Sequence, residues 1–335
     1  MSQPLQTNTS LSRSARLLCY LGPPSAILLT YKLSPSAGLL SPFAFLPTAL
    51  LFRQWREANR KNPLCHGELE PMLWTSVGVA TIGISIGALL QLGLCKATSS
   101  LLFGSGEASK VFWGEFQRNT IDGLTAHELS CRVELAKSWR NWVFNGVFSY
   151  VAAGLVEETL KYLPVIYAAH RGTPEGREPR NRAYIDYALA GALGFSLVEG
   201  LGFIYASCQA DHGGMSIKLL TLFERVVLGT VGHLSYACLT ALRATRRDYY
   251  GEKLSWWQVI GPSVLLHGTW NMAAMSISAL EGNVGWIHPT GVWATVAVIG
   301  PAISIATATV LKVLREWSEL DALDAIEKNQ KDDSP

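Results

Sequence analysis

A few polar side chains interrupt otherwise apolar stretches of this sequence, and their types suit hydrolytic chemistry. Glu157, Glu158 and Lys161 share one stretch, Glu199 lies in the next, His233 in a third, and His267 with Asn271 in a fourth. Lys161 follows Glu157 by four positions and Glu158 by three, so on a helix it reaches back to either carboxylate. In a low-dielectric setting its ammonium keeps a carboxylate ionised and stops two adjacent glutamates from both becoming neutral. His267 and Asn271 share a helical face by the same spacing, and the amide could fix the ring or donate to a developing oxyanion. Two imidazoles and a carboxylate from separate helices are the usual donors for a catalytic zinc with an open position. A further glutamate could then deprotonate the bound water. Each group also has a plain structural reading. A buried His can join two helices, a Glu–Lys pair can be a structural ion pair, and Glu199 can serve a proton or ion pathway.

The elements that must position these groups are membrane helices. Of 335 residues 49% are hydrophobic and 16% charged, against about a quarter charged in soluble domains. The formal net charge is +2, and no basic stripe with interleaved aromatics suggests nucleic acid. Disorder and a soluble single-core enzyme are excluded. Apolar stretches predict spans over 17–31, 37–52, 72–95, 141–169, 183–207, 216–242, 255–280 and 290–313. The first lacks a small-residue cleavage site and is not read as a signal peptide. With the N-terminus inside, eighteen Lys and Arg fall in cytoplasmic segments and two, Lys32 and Lys218, in short outside segments, as the positive-inside bias requires. The expected fold is therefore an all-α polytopic transmembrane bundle of about eight spans, both termini cytoplasmic, with one long non-cytoplasmic loop at 96–140.

That topology puts the polar groups in register. Glu158 is 13 positions from Arg171, His233 10 from Arg243, His267 14 from Lys253 and Glu199 17 from Arg182. At ~1.5 Å per residue the first three lie about 15–21 Å deep, and Glu199 slightly deeper. A charge at mid-bilayer costs at least ~2.5–3.5 kcal/mol, so four helices carrying ionisable groups in one slab call for a function.

Three units are expected: N-terminal spans plus the long loop over 1–140, a catalytic helical core over 141–315, and a polar, frayed cytoplasmic tail over 316–335. Cys95, Cys131 and Cys208 would face the non-cytoplasmic side, as free thiols or with one disulfide. His127–Glu128 with Cys131 lacks the second His of a zinc motif and is read as solvated loop. The Gly83–Gly87 stretch reads as an intrachain packing face. No H-E-x-x-H, G-x-S-x-G or G-x-x-x-x-G-K-[ST] occurs, so zincin-like, serine-type and ATP-driven chemistry are set aside.

At these residues the sequence resembles the PrsW family of intramembrane proteases, distant relatives of CAAX-prenyl endopeptidases and bacteriocin-processing membrane proteins. Glu157–Glu158–Thr159–Leu160–Lys161 matches its E-E-x-x-K motif. Phe195–Ser196–Leu197–Val198–Glu199 is similar to F-x-x-x-E, Arg225 with Gly232–His233 to an Arg placed before Gly-His, and His267–Gly268–Thr269–Trp270–Asn271 to H-x-x-x-N. The four motifs occur in family order across about 150–275. The resemblance implies an intramembrane endopeptidase acting on a membrane-protein or lipid-modified peptide substrate in the bilayer. It implies Glu157 as general base with Glu158 as partner or alternate, and His233 and His267 as ligands of zinc or, without metal, as groups that orient the water. Glu199 would be a further ligand or stand behind the ligands, Asn271 an oxyanion donor, and Lys161 would set the carboxylate charge. A proton- or cation-coupled transporter and a non-catalytic membrane scaffold are the readings from other classes.

Overall fold

The computed structural model describes residues 11–61, 68–118, 120–171, 182–209, 214–289 and 291–332. Among them every regular element is a helix: α1 (Arg13–Leu33), α2 (Pro35–Ala44), α3 (Leu46–Lys61), α4 (Leu69–Phe103), α5 (Glu107–Phe116), α6 (Ala126–Lys137), α7 (139–171), α8 (Ala183–Gln209), α9 (214–249), α10 (Trp256–Leu280) and α11 (Val292–Asp332). The segments Pro35–Ala58, Leu69–Phe103, Ala183–Gln209 and Val292–Ile326 are long and apolar enough to cross a bilayer. Helices also occupy the expected spans 141–169, 216–242 and 255–280. Large apolar side chains such as Leu89, Leu101 and Trp293 point outward, as they would toward lipid rather than water. Of the expected cytoplasmic arginines, Arg177 and Arg180 lie outside the described residues.

The sequence explains where these helices start and how closely they meet. Ser34 ends α1 and caps α2, accepting from the Ala37 N–H with Pro35 in the first turn, where a missing N–H costs nothing. The central α8 packs against α2, α4, α7 and α9. Gly194 lets the α4 backbone in: a Cβ there would collide with the Ser76 carbonyl. Gly87 meets the side-chain end of Leu160 of α7, whereas Gly83 meets only its own helix, so of the Gly83–Gly87 stretch Gly87 serves packing within the chain.

Wide π-helical turns interrupt α4 at Val79–Gly83, α7 at Phe148–Leu155 and α9 at Phe223–Gly229. Such turns add a residue to one coil of the helix and rotate everything after it. Two of them directly precede site residues: Glu157 follows the α7 turn, and Arg225 lies within the α9 turn that leads to His233.

Two expectations are corrected, and one left open is decided. The 96–140 segment is mostly helix rather than loop, because α4 continues to Phe103 and α5 and α6 fold over the bundle end. Its aromatic cluster joins Phe103, Phe112 and Phe116 to Phe144 and Phe148 of α7. Arg132, with a side chain 1% exposed, pins α6 to Glu115 of α5 and to the Val284 carbonyl after α10. Glu128 forms a capping box with Thr125, which leaves His127 and Cys131 exposed as read. Second, of the two alternatives for Cys95, Cys131 and Cys208 the structure has the free thiols, though Cys131 is exposed and only Cys95 is buried. Third, the acidic tail is not frayed, since α11 runs unbroken to Asp332. Its carboxylates meet arginines of α9 and of the segment before α8: Glu316 with Arg243, Glu319 with Arg246, Asp321 and Asp324 with Arg182. These charges stand far apart in sequence, so composition alone suggests a solvated end.

Candidate active site

The four helices α7, α8, α9 and α10 bring all the sequence-derived site residues to one place. Glu157, Glu158, Lys161, His233 and His267 are each no more than 5% exposed, while Glu199 and Asn271 are half-buried. A one-turn spacing puts the Lys161 ammonium 2.8 Å from Glu158 Oε1, and the same group donates to His233 Nδ1 at 2.7 Å. Glu158 Oε1 also accepts from His267 Nδ1 at 2.8 Å. Glu199 Oε2 lies 2.7 Å from His233 Nε2. One chain of hydrogen bonds therefore links α10 to α7, α7 to α9, and α9 to α8.

The proton positions in that chain follow from donor and acceptor chemistry. An ionised carboxylate only accepts, so His267 Nδ1 carries its proton and leaves the Nε2 lone pair free. This is how a carboxylate commonly prepares an imidazole to ligate metal. An ammonium only donates, so His233 accepts at Nδ1 and donates from Nε2 to Glu199. Glu158 Oε1 is consequently occupied by two partners and acts on the ring and the ammonium, while Glu158 Oε2 is buried without a hydrogen-bond partner. At Glu157 the unpartnered oxygen faces the other nitrogen of the His267 ring. Glu157 Oε1 accepts from Gln91 Nε2 of α4 at 3.0 Å, while its Oε2 is buried without a hydrogen-bond partner. That orphan oxygen sits 3.7 Å from His267 Nε2 and 3.7 Å from Lys161 Nζ.

A buried carboxylate oxygen with no partner costs ~1–3 kcal/mol or more, and a cation would satisfy it. The donor chemistry fits: Glu157 Oε2 and His267 Nε2 have free lone pairs, and His233, whose ligating atom lies with theirs within 4.8 Å, would join them by giving up its hydrogen bond from Lys161 or its Nε2 proton to Glu199. Glu199 stands beside this trio rather than within it, against His233. A small cavity of about 20 Å³ adjoins the histidines, bordered by Glu199, Arg225, Tyr236, Trp270 and Asn271. That is room for about one water. Asn271 thus shares the His267 face and reaches this space, as its spacing suggested.

Sequence reasoning missed two neighbours. Gln91 is the lone carboxamide in an otherwise apolar part of α4, which was its available signal. Tyr236 stacks on the His267 ring at 5.4 Å and 15°, and it follows His233 by three positions, hence on the same helical face. Phe195 completes the packing, lying 5.4 Å from the His233 ring and 4.8 Å below the Lys161 ammonium.

Comparison with known proteins agrees with this arrangement. No curated protein and no solved structure matched the chain. A family model described as PrsW family intramembrane metalloprotease matches residues 123–303, more than half of the chain and all of the site just described except Gln91. With its ordered motifs gathered into one buried His and Glu cluster, the chain belongs to the PrsW family of intramembrane metalloproteases.

Proposed function

We propose that this membrane-embedded peptidase hydrolyses a peptide bond of a single-span or lipid-modified protein, with glutamate-activated water at a zinc site of His233, His267 and Glu157. A bound zinc would supply Lewis acidity and a water acidic enough to ionise near neutral pH. The observation that carries this reading is a pair of unsatisfied atoms facing each other at 3.7 Å, Glu157 Oε2 and His267 Nε2, beside a buried Glu158 Oε2 and Tyr236 hydroxyl that also lack a hydrogen-bond partner. Glu158 and Lys161 act as positioning residues: one holds the His267 ring, the other ties Glu158 to His233. Glu199 is the nearest acceptor for the His233 Nε2 proton and borders the water-sized cavity, which suits it to general base. Asn271, on the same cavity wall, supplies an amide donor for a developing oxyanion. The motifs alone suggest the converse, with Glu157 as base and Glu199 as ligand. The two divisions separate cleanly. Glu157→Gln and Glu199→Gln should both stop cleavage of a reconstituted single-span peptide, but only the variant lacking the ligand should also lose bound zinc. Zinc retained in Glu157→Gln and lost in Glu199→Gln would reverse the roles.

The topology proposed with this chemistry has about eight spans and both termini in the cytoplasm. It carries a catalytic core over 141–315, an N-terminal region with its extramembrane helices over 1–140, and a cytoplasmic tail over 316–335. The eighteen-to-two distribution of basic residues supports it. So do the lengths of α8, at 27 residues, and α10, at 25, both above the ~20 needed to span.

A further inference from the structure

A second cavity, of about 750 Å³, opens at one end of the bundle. Its walls come from the α5–α6 link, the end of α8, the start of α9 and the segment after α10. The size lies within the range of roughly 300–1,000 Å³ typical of ligand sites. Its lining is amphipathic, with Phe203, Ile121 and Trp286 beside charged groups. Arg225 borders this cavity and also the small one against His233 and His267. It is therefore a wall residue that the large space and the site have in common.

The charges around the cavity are unevenly satisfied. Arg118 pairs with Glu115 at 3.0 Å, and Glu224 with His288 at 3.3 Å. Arg225 has no ion pair among the described residues. Its guanidinium lies 3.4 Å from the centre of the Phe203 ring, a contact that orients the planar group without neutralising it. Arg225 is half-buried, and the carboxylates of Glu199, Glu224 and Glu157 act on it from a distance without forming an ion pair, so a carboxylate arriving in the cavity can offer it two parallel hydrogen bonds.

We infer that the 750 Å³ cavity is the substrate cleft, receiving an extended peptide segment next to a membrane span, and that Arg225 at its inner end selects an acidic side chain beside the scissile bond. This rests on the peptidase reading above. The peptide's apolar side chains face Phe203, Ile121 and Trp286, and its carboxylate meets the one unpaired cation before the backbone reaches the histidines.

The test uses the full chain in liposomes with a library of single-span peptides randomised on both flanks of the span, the cuts being read by mass spectrometry. Wild type should enrich Asp or Glu at one fixed position near the cut, on the order of tenfold, as expected for a charge-assisted hydrogen bond. Arg225→Gln should flatten that preference, and Arg225→Glu should shift it toward Lys or Arg at the same position. If Arg225→Glu fails to fold, the wild-type profile and Arg225→Gln decide the matter. In Glu157→Gln, library peptides carrying a photoreactive group should cross-link to Ile121 and Trp286. Cleavage without acidic enrichment, enrichment that survives Arg225→Gln, or cross-links confined to other surfaces would overturn the inference and leave the peptidase reading intact. No cleavage of any library member by wild type would overturn both.

Discussion

Lys161→Met removes an ammonium while keeping its apolar stem, and the structure sets what that should cost. Lys161 and Glu158 are each 1% exposed and lie 2.8 Å apart. Without the lysine, Glu158 retains only the neutral His267 Nδ1–H as a donor, and His233 Nδ1 loses its partner as well. Breaking a buried pair by deleting one member costs ~3–5 kcal/mol, mainly because the other charge is left uncompensated. Glu158→Gln in the same chain removes that stranded charge. Lys161→Met/Glu158→Gln should therefore be more stable than Lys161→Met alone, by the ~1–3 kcal/mol typical of contacting, coupled pairs. Reversible unfolding in mixed micelles, followed by tryptophan fluorescence, measures all three variants and wild type. A double variant that loses at least the sum of the two single losses would refute the claim that the ammonium and Glu158 act as one buried unit.

Two further expectations concern packing and pH. Gly194→Ala puts a methyl against the Ser76 carbonyl and forces α8 away from α4; it should destabilise by ~1–3 kcal/mol, whereas Gly200→Ala, with open space around it, should not, as unfolding midpoints will tell. His288, outside the spans, is pulled down by burial but raised overall by its hydrogen bond to Glu224. A raised folded value means the contact stabilises fully below the ordinary imidazole value of about 6.5 and is lost as pH climbs through the higher folded value. Hydrogen exchange in 281–289 should accelerate across that interval, and His288→Gln should abolish the pH dependence. Exchange that slows as pH rises, after correction for its intrinsic rate, would contradict the sign.

Much of the site was legible because membrane burial makes polar residues conspicuous. Glu158, His233 and His267 stand out in apolar stretches, and counting from flanking basic residues puts them at a common depth; the bonds Glu158–His267 and Lys161–His233 join them as that depth implied. What stayed hidden depends on partners remote in sequence. The tail looked free because Glu316 and Asp321 meet Arg243 and Arg182 only after folding. The helices α5 and α6 were missed because their apolar faces cover a bundle end rather than lipid, which leaves short amphipathic stretches of ordinary polarity. The division of labour between Glu157 and Glu199 could not be read from spacing. The proposed division rests on Glu157 Oε2 facing His267 Nε2 while Glu157 Oε1 is held by Gln91, which comes from a helix outside the motifs.

The central claim is that Glu157, His233 and His267 form a metal centre, and metal content tests it most directly. The full chain, purified in mild detergent without chelator, should carry close to one zinc per chain. His233→Ala/His267→Ala should carry none while keeping its helical circular dichroism. A well-folded wild type without bound metal, or a double variant that retains it, would contradict the account.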